Sequence, residues 1–328
     1  LTAALAACSS NAGQIVPGSS QTASSSTSRA LASQSVAGAR EAARGLQYVR
    51  ASRGPAISSF VASPDRIVPD GSTVVYDSIG QTGTKGQPSS YISSLGYDCC
   101  STAEFGDGLV FANLPPNGAQ LKTVTVIFDS WACQQGTWYG DNCVTAKNAT
   151  FQWPVTINVY SVTGYGSGAP QVGSLLTTRT YETTFKYRPS ANNKVCQGPN
   201  LGAFLGPVDK QCDNGLAQSV TFNMVSPKTI LPAQAIVTVA YNTSSWGYSP
   251  VGTNTACFTS SAGCPYDSLN VSADGNGALP GMGGNLDANG VFVNFQDPYF
   301  YCAGTGSGLI DDSPCWTGYH PELKVVTF

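Results

Sequence analysis

Charge is the first thing this sequence lacks. Asp, Glu, Lys and Arg make up 11% of its 328 residues, where an average soluble domain carries roughly 25%. Long helices would need more Leu, Glu, Lys and Ala than the chain holds outside its first fifty residues. Histidine occurs once, at His320, so a catalytic triad has a single imidazole to draw on. That residue sits in CWTGYHPEL, beside a proline and before the last apolar run, and reads as a surface or strand-edge side chain. Cys-x-x-Cys is absent, which argues against thiolate zinc. No Gly-x-Ser-x-Gly elbow and no phosphate-cradling loop occurs. No internal run of eighteen apolar residues exists, so nothing after the N-terminal segment reads as a membrane-spanning helix. Basic clusters are missing as well. Residues 67–328 carry a net −7, a poor match to nucleic acid, whose binding needs grouped Lys and Arg.

What the chain does hold is glycine, small hydroxyl residues and period-two apolar patterning. Val124, Val126 and Phe128 share one face of KTVTVIFDSW, and Thr123 and Thr125 face the other way. The same alternation groups Val155, Ile157 and Val159, then Val220, Phe222 and Met224, then Val237, Val239 and Tyr241. ELKVVTF alternates at the C-terminus, and 72–79, 108–114, 175–187 and 290–295 are further strand candidates. Alternation of this kind marks half-buried antiparallel strands. About nine or ten strands with Gly, Pro and Asn turns predict an all-β fold, an antiparallel, jelly-roll-like β-sandwich. Residues 67–328 read as one such domain, with no internal repeat.

The first 66 residues are different. LTAALAAC (1–8) has no initiating Met and the small, apolar character of the end of a secretory signal peptide. Residues 9–66 are rich in Ser, Ala and Arg, carry +4 within 1–66, and lack the apolar groups that would offset ordering entropy, so they read as a flexible tether.

Eleven cysteines are present. Eight fall into near neighbours, Cys133/Cys143, Cys196/Cys212, Cys257/Cys264 and Cys302/Cys315, a spacing that predicts loop staples in an oxidising compartment. Cys99 and Cys100 are adjacent. Either they bond to each other as a stiff vicinal loop, which beside Tyr97 would offer a flat apolar plate to a sugar ring, or they only stiffen the chain. With Cys8 set aside the number is even.

Two classes of chemistry have candidates. Trp131, Trp138 and Tyr139 surround the first stapled loop; Trp246 and Tyr248, and Trp316 and Tyr319, sit in other Gly- and Ser-rich segments. Aromatic faces beside amides and hydroxyls are what sugar binding needs, and equally what capping a sandwich core needs. Asp274, Asn276, Asp287 and Asn289, on Gly-rich segments, are oxygen ligands of the kind calcium takes, although Asp-x-Asn-Gly also simply makes turns. No other cofactor is indicated. Glycoside hydrolysis needs two facing carboxylates. Of the four glutamates, Glu41 lies in the tether and Glu182 in a polar strand, which leaves Glu104 and Asp107 in AEFGDGLVF as the one pair beside aromatic residues. No catalytic residue is assigned, and hydrolysis is the remote alternative.

Leu5-Ala6-Ala7-Cys8 resembles the bacterial lipobox. The resemblance implies that Cys8 is lipidated and becomes the N-terminus of a surface lipoprotein; with Ser9 following, it implies the outer membrane if the source is diderm. Ordinary secretion with cleavage after the alanines is the alternative. The segments TVTVIFDSWAC, YRPS, AYNTSSWGYSP and DSPCWTGYHPELKV resemble the choice-of-anchor domains, secreted bacterial β-sandwiches joined to varied surface-attachment signals. That resemblance covers about 72–328 and implies a cell-surface location without any activity. Together these readings give a non-enzymatic surface protein that binds glycan or matrix through aromatic loops, with a structural, self-associating envelope component as the alternative.

Overall fold

The computed structural model describes residues 71–79, 92–93, 102–136, 141–164, 169–206, 210–241, 269–274, 280–288, 290–295, 301, 306–312 and 319–328. Among these the chain is strand and turn, with one 3-10 turn at Gly198–Asn200. The strands begin with β1 (Thr73–Asp77), β2 (Ile92–Ser93), β3 (Thr102–Val110), β4 (Ala119–Ser130), β5 (Thr150–Thr163) and β6 (Gln171–Lys186). The middle of the chain adds β7 (Phe204–Leu205), β8 (Cys212–Asp213), β9 (Leu216–Asn223), β10 (Ile230–Leu231), β11 (Gln234–Ala240) and β12 (Leu269–Asp274). The last are β13 (Gly284–Asn285), β14 (Phe292–Phe295), β15 (Ile310–Asp311), β16 (His320–Pro321) and β17 (Leu323–Thr327).

They form two antiparallel sheets and a small β7–β8 ribbon. One sheet runs β1-β17-β4-β12-β16, with β9 and β10 also on β4 and β2 on β12; the other runs β15-β14-β3-β11-β5-β6, with β13 also on β3. The alternation expected from the sequence sets their inner faces. Val124, Val126 and Phe128 of β4 meet Val155, Ile157 and Val159 of β5 and Val237 and Val239 of β11 in one core cluster, all 0–1% exposed. An aromatic group fills one end of it. Phe128 lies 5.0 Å from Phe185 and 6.3 Å from both Phe222 and Tyr241, and Phe151 packs on Phe185 and Tyr187.

The second sheet is curled. Six neighbouring strands spaced about 4.8 Å apart would put β15 and β6 about 24 Å from each other if flat. They come within 8 Å, so the sheet is a half-barrel. On its outer face, away from the core cluster, Ile236, Thr238 and Phe292 are at most 1% exposed.

The molecule has two unlike ends. β3 and β4 are joined by 111–118, β5 and β6 by 164–170, and β9 leads to β11 through 224–233. All three links lie at one end, because Val110 pairs with Gln234 and Leu231 with Ala119. At the other end β4, β6, β11 and β14 stop and β3, β5, β9 and β12 start: Ser130 pairs with Leu216 and Leu269, Thr150 with Lys186, and Phe295 with Thr102. The segments 131–149, 187–215, 241–268 and 296–309 that meet this end are longer than those links, and together with 94–101 they carry, in the sequence, every cysteine except Cys8 and Cys315. β1 enters at the short-link end, where Thr73 pairs with Thr327 and Thr327 with Leu121. No helix among the described residues is long and apolar enough to cross a membrane.

Candidate functional site

The two carboxylates singled out in β3 do not form a pair. Three residues apart on a strand, they point to opposite faces. Asp107 shares the inner face with Phe105 and Leu109 and is 1% exposed. It reaches across the sandwich to His320 on β16 of the facing sheet, with Oδ2 2.8 Å from Nδ1. The Gly108 N–H donates to its Oδ1 at 2.7 Å. His320 Nε2 lies 3.2 Å from the Ala288 carbonyl. A carbonyl only accepts, so Nε2 carries a hydrogen and a further proton lies between Nδ1 and Oδ2. Burial pushes the Asp107 carboxyl up; the charge and hydrogen bond of His320 oppose this, and Asp287 nearby adds to the rise. His320 is therefore at a strand edge, as expected, but it is 1% exposed rather than on the surface. An aspartate flanked by glycines on a strand whose other inward residues are Phe105 and Leu109 was the signal that a buried partner existed.

Glu104 faces outward and is nevertheless 7% exposed. Its Oε1 takes three hydrogen bonds, from Asn158 Nδ2 at 2.9 Å, from the Tyr160 hydroxyl at 3.0 Å and from the Thr238 hydroxyl. All three donors alternate outward on β5 and β11, opposite in phase to the core valines. Gly106 makes this possible: a Cβ there would lie 2.5 Å from Thr238 Cγ2. Burial and then the Glu104 charge raise the Tyr160 hydroxyl well above its usual range, so it remains a donor. Each residue was legible as outward-facing; that they converge on one oxygen depends on register, which the sequence does not display.

Trp131 follows β4 at the long-segment end. Its ring packs against the Cys133–Cys143 disulfide together with Ala191, and its Nε1–H donates to Asp129 Oδ2 at 2.6 Å. A Cβ on Gly215 would come within 2.3 Å of that nitrogen, so glycine is required there. Cys196–Cys212 closes the neighbouring segment. Between the two disulfides Arg188 is fully buried, stacked 5.3 Å over Phe204 and donating to the Gly202 carbonyl at 2.5 Å. Tyr319 belongs to the core cluster at 7% exposure, which puts its ring inside the sandwich rather than on a ligand-facing loop. Asp287 is half-buried, and the backbone of Asp274 stands opposite His320. Among the described residues no three His, Cys, Asp or Glu side chains gather to hold a metal ion.

The remaining candidates lie outside the described residues: Cys8, Tyr97, Cys99, Cys100, Trp138, Tyr139, Trp246, Tyr248, Cys257, Cys264, Asn276, Asn289, Cys302, Cys315 and Trp316. No family model matches the chain, and neither any curated protein nor any solved structure matches it.

Proposed function

We propose that this chain is a non-enzymatic, lipid-anchored protein of the bacterial cell surface that binds glycan or extracellular matrix through its long-segment end. The polarity of the sandwich carries the reading. The tether joins β1 at the short-link end. The segments bearing Tyr97, Trp131, Trp138, Tyr139, Trp246 and Tyr248 leave from the opposite end. A chain anchored through Cys8 therefore holds those segments away from its membrane, on a tether of about sixty residues with a root-mean-square span of about 40 Å. Two disulfides and the Phe128 aromatic group stiffen the base from which they rise. The choice-of-anchor resemblance agrees with this placement and adds no activity.

Titration of the oxidised chain against a panel of glycans and cell-wall polysaccharides, with and without calcium, tests it. Saturable binding that Trp138→Ala weakens at least tenfold is the expected result, since one well-placed aromatic contact with its buried area supports a loss of that order. A blank across the panel, on protein shown to be folded, overturns it.

A specific feature favours a second reading, self-association. β6 is a sixteen-residue strand at the sheet edge. The Lys186 N–H and carbonyl face away from β5 and are taken up by the Gln218 side chain. By alternation Thr178, Thr180, Glu182 and Thr184 present their backbone groups the same way, and their side chains are exposed. Where β15, which comes within 8 Å of β6, does not cover it, such an edge is a template for a further strand.

A further inference from the structure

We propose that the short-link end of the sandwich is a membrane-contact surface that rests on an anionic lipid layer, with Ile230 and Phe328 entering the headgroup boundary. This rests on the anchored-chain reading and names what the anchored end meets.

Exposed apolar side chains point to it. Ile230 is 46% exposed and Phe328 52%, and neither belongs to the core cluster. They flank Gln120: Ile230 pairs with it across β10 and β4, and the Phe328 N–H donates to its carbonyl at 3.0 Å. Two strand spacings put them about 10 Å apart. Beside Ile230 an open groove of about 520 Å³ runs between 113–118 and 230–233, with Leu114, Pro115, Pro116 and Pro232 in its walls. The three prolines are exposed. Proline has no N–H, so this rim offers apolar surface with few donors to be stripped of water.

Charge separates this end from the other. Residues 67–328 carry a net −7, but the links 111–118, 164–170 and 224–233 hold no Asp or Glu and one Lys, Lys228. Each of the segments 131–149, 187–215, 241–268 and 296–309 holds at least one Asp. An anionic surface therefore repels the long-segment end and admits the short-link end. Lys122 supplies attraction where the chain enters: its Nζ lies 2.5 Å from Ser72 Oγ and 4.6 Å from the centre of the Phe328 ring. Lys228, two residues before Ile230, is exposed. Cations beside apolar side chains suit an interfacial contact, where buried apolar area adds to attraction for anionic lipid. So small a contact is weak alone, but a tether of about sixty residues keeps the domain at high local concentration over its membrane.

The full oxidised chain with Cys8→Ser, which cannot be acylated, isolates this surface. It is sedimented with vesicles of phosphatidylethanolamine and phosphatidylglycerol, and with vesicles of phosphatidylcholine alone. The expected result is salt-sensitive binding to the anionic vesicles. Ile230→Asp combined with Phe328→Ser is expected to lower the partition coefficient at least tenfold, with an unchanged circular dichroism spectrum. Lys122→Gln, which leaves the apolar pair in place, is expected to weaken binding and its salt sensitivity, and covers the case in which the double variant does not fold. Val144→Asp, at a residue 54% exposed on the far end, is expected to change nothing. Binding to neither vesicle, equal binding to both, or binding that the double variant and Lys122→Gln retain in full overturns the proposal. Sedimentation without vesicles that the double variant abolishes identifies a second copy as the occupant and also overturns it. The mass of the wild-type chain, purified from the cells that make it, reads the anchor separately: an unacylated Cys8 ends the anchored reading, whereas an acylated Cys8 without vesicle binding by the Cys8→Ser chain ends the contact surface alone.

Discussion

At the residue scale, Asp107 and His320 form a buried polar contact between the two sheets. Removing one partner of a buried ion pair leaves the other uncompensated and costs about 3–5 kcal/mol. Replacing both with apolar residues removes the penalty along with the attraction. Asp107→Leu and His320→Leu are each expected to lower the urea midpoint sharply, and the double variant to be more stable than either; a double variant that sums the single losses contradicts a coupled pair. The pair also sets a pH dependence. Burial raises the Asp107 carboxyl, so the folded chain holds its proton more tightly than the unfolded chain. That contribution to stability is present below the ordinary carboxylate range and is lost as pH rises through the folded value. As pH rises above the ordinary carboxylate range the wild-type midpoint is expected to fall further than that of Asp107→Asn, and equal slopes count against this account.

Among the elements, β6 decides between the two proposed modes of association. The Glu182 N–H faces away from β5, so proline there removes no bond of the β5–β6 ladder, and proline is tolerated on edge strands. Glu182→Pro is expected to leave the circular dichroism spectrum intact and to dissociate any oligomer seen by light scattering. An oligomer that survives it uses another surface. The long strands were legible because alternation is the whole of their physics: β4, β5, β11 and β17 bury the residues that the pattern assigns inward, and β9 buries Phe222 and half-buries Val220 against the same core. Pro154 did not obscure β5, since it lies beyond Thr156, the last residue paired to β11, and its missing N–H costs no bond there. The two-residue strands β2, β7, β8, β10, β13, β15 and β16 had no period to read. β12 had one, in Leu269, Val271 and Ala273, but six residues with Asn270 and Ser272 between them resemble a loop. β3 begins at Thr102, earlier than its apolar end announces, because Glu104 and Asp107 are buried carboxylates that look exposed until their partners are known.

For the molecule as a whole, the two disulfides among the described residues lie at one end. Opening Cys133–Cys143 or Cys196–Cys212 with serine pairs is expected to cost about 3 kcal/mol each through the entropy returned to the unfolded chain, read as a lower denaturation midpoint. The sheets themselves are cross-linked by neither bond, so both variants are expected to keep their β-sheet spectrum, and a collapse of that spectrum would show that the staples hold the sandwich together. What one sequence could not reveal is which end of the sandwich each loop occupies, since that follows from strand order rather than local pattern.

The entry of β1 at the short-link end has a mechanical consequence. A load applied between the tether at Thr73 and a ligand held at the far end runs along the strands. β1 is hydrogen-bonded to β17 from Thr73 to Asp77, and those bonds lie perpendicular to the load. They are strained together in shear instead of opening one after another like a zip. If the chain is anchored as proposed, the strand next to the tether would stand where a pull meets its stiffest response.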